Sequence, residues 1–325
     1  MVGAGAIAAT AAVAGCSNGN VTPAATSGSG YSDTDILNFA LNLEYLEAEF
    51  YLRAATGSGL QSSDTTAGSA SPYQTVGSVT VGYAAQVGGA SATQLEIINE
   101  IAFEEQQHVR FLRAALGAAA IPRPAIDLSF FGPLAIAAGI YTSSQPAFNP
   151  FASFQTFLLG AFIFEDVGVT AYAGAAPLIS ASGVASGYLT AAAGILAVEA
   201  YHAAYIRTAL TAIDVAAGNS TYTTIANQIA TLRSTLTVGN SGAPSTGTGN
   251  TGVAGSSTSD EVKLVVPTST STPSAIVACD SSNAIGFARN VNQVHHIVYG
   301  SPTVGVKSGG FFPSGTNSIF STTTA

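Results

Sequence analysis

Two stretches of the chain carry the same pair of reactive side chains at the same spacing. "EEQQHVRFLRAALG" (104–117) holds Glu105 and His108, and "GILAVEAYHAAYIRTAL" (194–210) holds Glu199 and His202. On a helix, residues three apart share a face, so each glutamate and its histidine point the same way. Carboxylate and imidazole together suit iron or manganese, where a thiolate-rich site would not. The chain has 4 histidines among 325 residues. Chance placement would give roughly 0.1 Glu-x-x-His pairs, and two occur, both in long helical patterns. Each is followed five residues after the histidine by an arginine, Arg113 and Arg207.

Two further stretches repeat each other. "EYLEAEFY" places Glu44 seven residues before Tyr51, and "EDVGVTAY" places Glu165 seven before Tyr172. Seven residues are about two helical turns, so each glutamate shares a face with its tyrosine. Glu165 lies in "LLGAFIFEDVGV", which is apolar almost all round. A buried carboxylate there needs a proton, a partner or a cation. Two readings meet that need. One is a metal site. The other is a buried Glu–Arg network through Arg113 and Arg207, with the histidines as core hydrogen-bonders. Taken by themselves, Tyr51 and Tyr172 read as ordinary core tyrosines. Glu47, Glu49, Glu96 and Glu100 read as solvated, and Glu104 as a supporting or exposed residue beside Glu105.

These residues require long helices to position them, and the hydrophobic periodicity predicts four. The first is "DTDILNFALNLEYLEAEFYLRAAT", capped by Ser32 or Asp33 and ending at Gly57. The second runs from Ala92 to Leu116, closed by Gly117. The third covers Pro150 to Ala173, and the fourth Ala185 to Ala217. Residues 57–91 read as a long loop holding a small hairpin, and "IPRPAIDLSFFGPL", with three prolines, as a crossing connection. The fold class is all-α: a four-helix bundle with a crossover between its second and third helices, spanning 32–237. A weaker helical pattern follows near 223–236. Residues 238–259 read as a Gly/Ser/Thr linker. Residues 260–325 form a mostly irregular extension, with one helix in "NAIGFARNVNQVHHIVYG", expected to dock on the bundle. His295 and His296 are adjacent, so they diverge by about 100° and read as packing or polar-face residues.

Charged residues make up only 8% of the chain, with a net charge of −9. No basic cluster points to nucleic acid. Residues 1–16, "MVGAGAIAATAAVAGC", resemble the apolar region and lipobox of a bacterial lipoprotein signal, with Cys16 as the lipidated residue. The expected basic segment of such a signal is missing after Met1 and would lie upstream. Residues 17–31 then read as a linker, and the protein as exported, periplasmic or membrane-anchored. Cys279 reads as an inert buried thiol. No later segment has about 20 uninterrupted apolar residues, so the apolar stretches read as core helices.

Over residues 33–215 the chain resembles the ferritin-like di-iron or di-manganese carboxylate proteins. These set one Glu on each of two helices and Glu-x-x-His on each of the other two. "NLEYLEAEFY", "FEDVGVTAY" and "GGFFPSG" are similar, more narrowly, to the exported bacterial ferritin-like and plant desiccation-related family. The resemblance implies two iron ions, or manganese, held by Glu44, Glu105, His108, Glu165, Glu199 and His202. It implies that Glu105 and Glu199 bridge, that Glu44 and Glu165 are terminal, and that Tyr51 and Tyr172 orient carboxylates. Two functions follow as expectations: a redox-active, stress-related di-metal protein, or an envelope scaffold whose metal is inert or absent. A storage cage fits poorly, because the insertions would obstruct shell contacts.

Overall fold

The structure is a computed structural model that describes residues 31–238, 261–267, 276–279, 284–320 and 323. The predicted export segment with Cys16, and all but residue 31 of the predicted linker 17–31 and residue 238 of the predicted linker 238–259, lie outside the described residues.

Helix α1 (Asp33–Thr56) starts on a reciprocal cap. Ser32 Oγ accepts from the Asp35 amide at 3.2 Å, and Asp35 Oδ2 accepts from the Ser32 amide at 2.9 Å. It stops at Gly57, whose φ of 79° is open to a residue without Cβ. Helix α2 (Ala92–Leu116) repeats the device with Ser91 and Gln94. The crossover contains a short helix, α3 (Phe131–Ala137), and leads to α4 (Phe154–Ala175). α4 begins at Phe154 rather than at the predicted Pro150, because Ser153 and Thr156 form its cap. The predicted fourth helix starts at Tyr188 rather than Ala185. Residues Ala181–Ala185 form a separate short α5, Gly187 turns the chain at φ 86°, and α6 runs from Tyr188 to Ala217. Helices α7 (Thr221–Val238) and α8 (Val291–Val298) follow.

α1 packs chiefly on α2 and α4 on α6, the two pairs meeting through α1 and α4. The protein is therefore an all-α four-helix bundle with a crossover between its second and third long helices. No hairpin forms between 57 and 91. Strand β1 (Val79–Thr80) instead pairs in parallel with β2 (Ile126–Asp127) in the crossover. Gly68 and Gly77 amides donate to the Ala120 and Arg123 carbonyls, so the two long connections form one layer over α1. Arg123 of that layer pairs with Glu49 of α1, which Arg53 also meets at 3.0 Å. That is why Glu49 is fully buried and not solvated as its sequence context suggests.

The C-terminal residues pack on α4 and on the crossover. The Arg289 amide donates to Thr170 O at 2.9 Å. Gly174 makes the approach fit, because a Cβ there would sit 1.9 Å from Arg289 O. Phe311 meets Phe131 and Phe164 at ring separations of 5.0 Å. A buried ionic chain runs Arg207–Asp166–Arg233–Glu261–Arg289, with contacts of 2.6 to 2.9 Å. His295 is buried between Phe39 and Tyr299, and His296 bonds Ser301 O at 2.6 Å. Burial, then the neighbouring His296, pushes His295 down to about 3. Cys279 is only half-buried. Helices α4 and α6 are each long and apolar enough to cross a membrane. α4 is enclosed by the bundle, while α6 turns an apolar face outward, with Tyr201 76% exposed.

Candidate metal centre

The four long helices bring all six sequence-identified residues into one buried cluster. Glu44 comes from α1, Glu105 and His108 from α2, Glu165 from α4, and Glu199 and His202 from α6. Their ligand atoms form two groups, each with all atoms within 4.8 Å of one another. One group is Glu44, Glu105, His108 and Glu199. The other is Glu105, Glu165 and His202. Glu105 belongs to both. Glu199 belongs only to the first, so its position differs from that of Glu105.

Both histidines present Nδ1 to the cluster. His108 Nδ1 lies 3.3 Å from Glu44 Oε2, 3.3 Å from Glu105 Oε2 and 3.6 Å from Glu199 Oε1. His202 Nδ1 lies 3.1 Å from Glu105 Oε1 and 3.3 Å from Glu165 Oε2. The far nitrogen of His202, Nε2, meets Glu104 Oε2 at 2.7 Å. A carboxylate behind a histidine fixes its tautomer and raises its basicity toward a metal. In the second half of the internal repeat the residue matching Glu104 is Val198, so His108 has no such support from α6.

The tyrosines act across the bundle. Tyr51 of α1 donates to Glu165 of α4, and Tyr172 of α4 donates to Glu44 of α1. Each thus bonds the glutamate of the opposite helix, not the one seven residues before it. The Glu–Arg alternative does not form. Arg113 bonds the Tyr45 hydroxyl and Thr66 O, and Arg207 pairs with Asp166 at 2.8 Å. Among the described residues neither arginine meets the six.

Glu47, like Glu49, is a residue that sequence reasoning placed wrongly. It is 5% exposed and sits among the carboxylates. Its i, i+3 relation to Glu44, which sets both on one face of α1, is the signal that identifies it. Gly168 makes room for it and for Glu199. A Cβ there would lie 2.3 Å from Glu199 Oε2 and 3.5 Å from Glu47 Oε1. Burial, then the charges of Glu105, Glu44 and Glu165, holds Glu47 well above the usual carboxylate range. Glu199 is raised for the same reasons, Glu47 being its foremost charged neighbour. Burial raises Glu44 to about 7 against the pull of His108. Burial would raise Glu105 too, but the two histidines facing it bring it to about 2. Burial lowers the histidines, yet the facing carboxylates outweigh it and raise His108 to about 11 and His202 to about 12.

The cluster is short of partners as well as of positive charge. Glu44 Oε2, Glu105 Oε1, Glu165 Oε2, both Glu199 oxygens and His202 Nδ1 are buried without a hydrogen bond. Unmet buried acceptors cost stability, and native interiors contain few of them. These carboxylate oxygens and imidazole nitrogen are a donor set that hard-to-intermediate divalent metal ions would satisfy. Cations there would also let the carboxylates ionise and take the place of the imidazole protons.

A family described as a ferritin-like domain matches residues 32–212. The chain is 33% identical over 180 residues to the desiccation-related protein PCC13-62 of Craterostigma plantagineum, covering 55% of this chain and 53% of that protein. It is 33% identical over 187 residues to the ferritin-like catalase Nec2 of Nesocodon mauritianus, covering 56% and 54%. The chain thus spans about half the length of these curated relatives. No solved structure matches it.

Proposed function

We propose, from the premise that the chain belongs to the ferritin-like domain family, that its bundle holds two iron or manganese ions and turns over dioxygen or peroxide. The six unpartnered buried ligand atoms carry this reading. Glu105, common to both groups, would serve both ions, with Glu44, His108 and Glu199 the residues that would hold one and Glu165 and His202 those that would hold the other. A metal pair bound there would supply a two-electron redox couple to an oxygen species.

The chain's own residues do the rest. Glu104 holds His202 in one tautomer, and Tyr51 and Tyr172 fix the carboxylates that accept from them. Glu47, without a hydrogen-bond partner among the described residues, is the carboxylate free to hold a proton beside Glu199. Burial excludes bulk water from the cluster. The name of one relative adds a catalase activity to this reading and that of the other a desiccation setting. Export belongs to the same proposal. Residues 1–16 direct it, and Cys16 is the anchoring residue, tested by whether Cys16→Ser shifts the protein from the membrane to the soluble fraction.

The decisive experiment loads the full chain with ferrous ion without oxygen, counts metal per chain, and then follows oxygen or peroxide consumption. Two ions with rapid consumption is the expected result. Two inert ions would make the centre a staple of an envelope scaffold. No ions, with Glu199→Ala leaving stability unchanged, would sink the site.

A further inference from the structure

Glu47 is the buried carboxylate that the six candidates leave out. It follows Glu44 by three residues on the same face of α1, and it has no hydrogen-bond partner among the described residues. Glu49, two residues on, shows the contrast: Arg53 and Arg123 both hold it. An unpartnered acid in an interior is expensive, so this one needs a partner that the protein chain does not supply.

Glu199 faces the same place with a spare oxygen. Its Oε1 is the atom 3.6 Å from His108 Nδ1, while its Oε2 is buried without a hydrogen bond. Both carboxylates abut one notch in α4, since a Cβ on Gly168 would lie 2.3 Å from Glu199 Oε2 and 3.5 Å from Glu47 Oε1. Gly168 has ordinary helical backbone, so the close approach is what its missing side chain serves. In the internal repeat Gly168 is the residue that matches Glu47, each standing three after its glutamate. One half of the bundle thus brings an extra carboxylate, and the other half leaves the space for it. A small cavity beside Glu47, walled by Leu43, Leu46, Val167 and Phe311, gives its side chain room to move.

We propose that Glu47 is a seventh metal ligand, which joins Glu199 from the Gly168 side. Without a cation, repulsion among the carboxylates keeps Glu47 outside the two ligand groups. A cation reverses that balance, and rotation about the Glu47 side-chain bonds brings an oxygen in. The inference rests on the reading of the cluster as a metal centre, and the experiment separates the two.

The full chain, Glu47→Gln and Glu47→Asp are titrated with manganese(II) without oxygen, and the loaded wild type is crystallised. A Glu47 oxygen is expected within roughly 2.0–2.6 Å of an ion, the span of cation–carboxylate bonds. Glu47→Gln should weaken manganese binding by about tenfold or more. Glu47→Asp keeps the charge but is one methylene short, so it should lose affinity by about tenfold as well. Metal-free Glu47→Gln should melt no lower than wild type, because it removes an unpaired buried acid. Wild type that takes up no manganese would overturn the metal centre and this inference with it. Loaded wild type with Glu47 turned away from both ions would overturn this inference alone. So would Glu47→Asp binding as tightly as wild type, which would make Glu47 a source of charge only.

Discussion

At the scale of single residues, the centre couples protonation to folding. His108 and His202, raised to about 11 and about 12, sit above the roughly 6.5 of an unfolded histidine. Their contribution to the metal-free fold is complete below about pH 6.5 and is lost as pH climbs toward those values. Glu44, raised to about 7, loses its share in the same direction between its unfolded value and neutrality. His295, lowered to about 3, works oppositely, but only below about pH 6.5. Between about pH 7 and 9 the metal-free melting temperature should therefore fall. Bound metal, which replaces the imidazole protons, should flatten that slope. Melts of both forms at the two pH values check this, and a metal-free melt that holds level would contradict it. The six ligand candidates were legible because charge is so scarce in this chain that each acid inside an apolar helix stands out. Glu47 was not, because a carboxylate followed by Ala-Glu-Phe looks solvated until the facing helix is known. Glu104 posed the converse problem: its partner, His202, comes from another helix 98 residues away.

At the scale of helices, local chemistry sets the ends and small residues set the spacing. Ser32, Ser91 and Ser153 start α1, α2 and α4 through side-chain caps. The starts of α1 and α2 were readable from their sequence context. The start of α4 was misplaced because Pro150 is as plausible a helix opener as Ser153. The parallel pairing of Val79–Thr80 with Ile126–Asp127 lies beyond local signals, since a two-residue strand gains its partner only after the crossover folds back. Gly168 shows spacing at work within α4. Gly168→Ala should keep or improve helix content, because alanine is the better helix former. Its methyl would enter the space of the Glu199 carboxylate, so metal affinity should fall by about 10- to 100-fold. Circular dichroism with a metal titration separates the two effects, and unchanged affinity would refute the packing argument.

At the scale of the whole molecule, the residues after α7 are part of the bundle's fabric. Arg233 links Asp166 of α4 to Glu261, is almost fully buried, and also bonds the Phe162 carbonyl. Arg233→Ala would leave Asp166 with Arg207 and Glu261 with Arg289, and the lost charged hydrogen bonds should cost about 1.5–3 kcal/mol. Chemical denaturation should show that loss in the midpoint while metal per chain stays the same, since Arg233 touches none of the ligand candidates. The need of this segment for a partner surface was legible in its apolar runs. Its route was not, because the contacts that define it, Arg289 on Thr170 and Asn317 on Asn42, join residues more than 100 positions apart.

The unequal backing of the two histidines has a kinetic consequence. Glu104 holds the far nitrogen of His202, whereas the matching position of α6 is Val198. A chelator added to the loaded protein should therefore remove metal in two phases of equal amplitude, a quick departure from the His108 side followed by a slow one from the His202 side. Glu104→Ala, by removing that backing, should draw the two phases together.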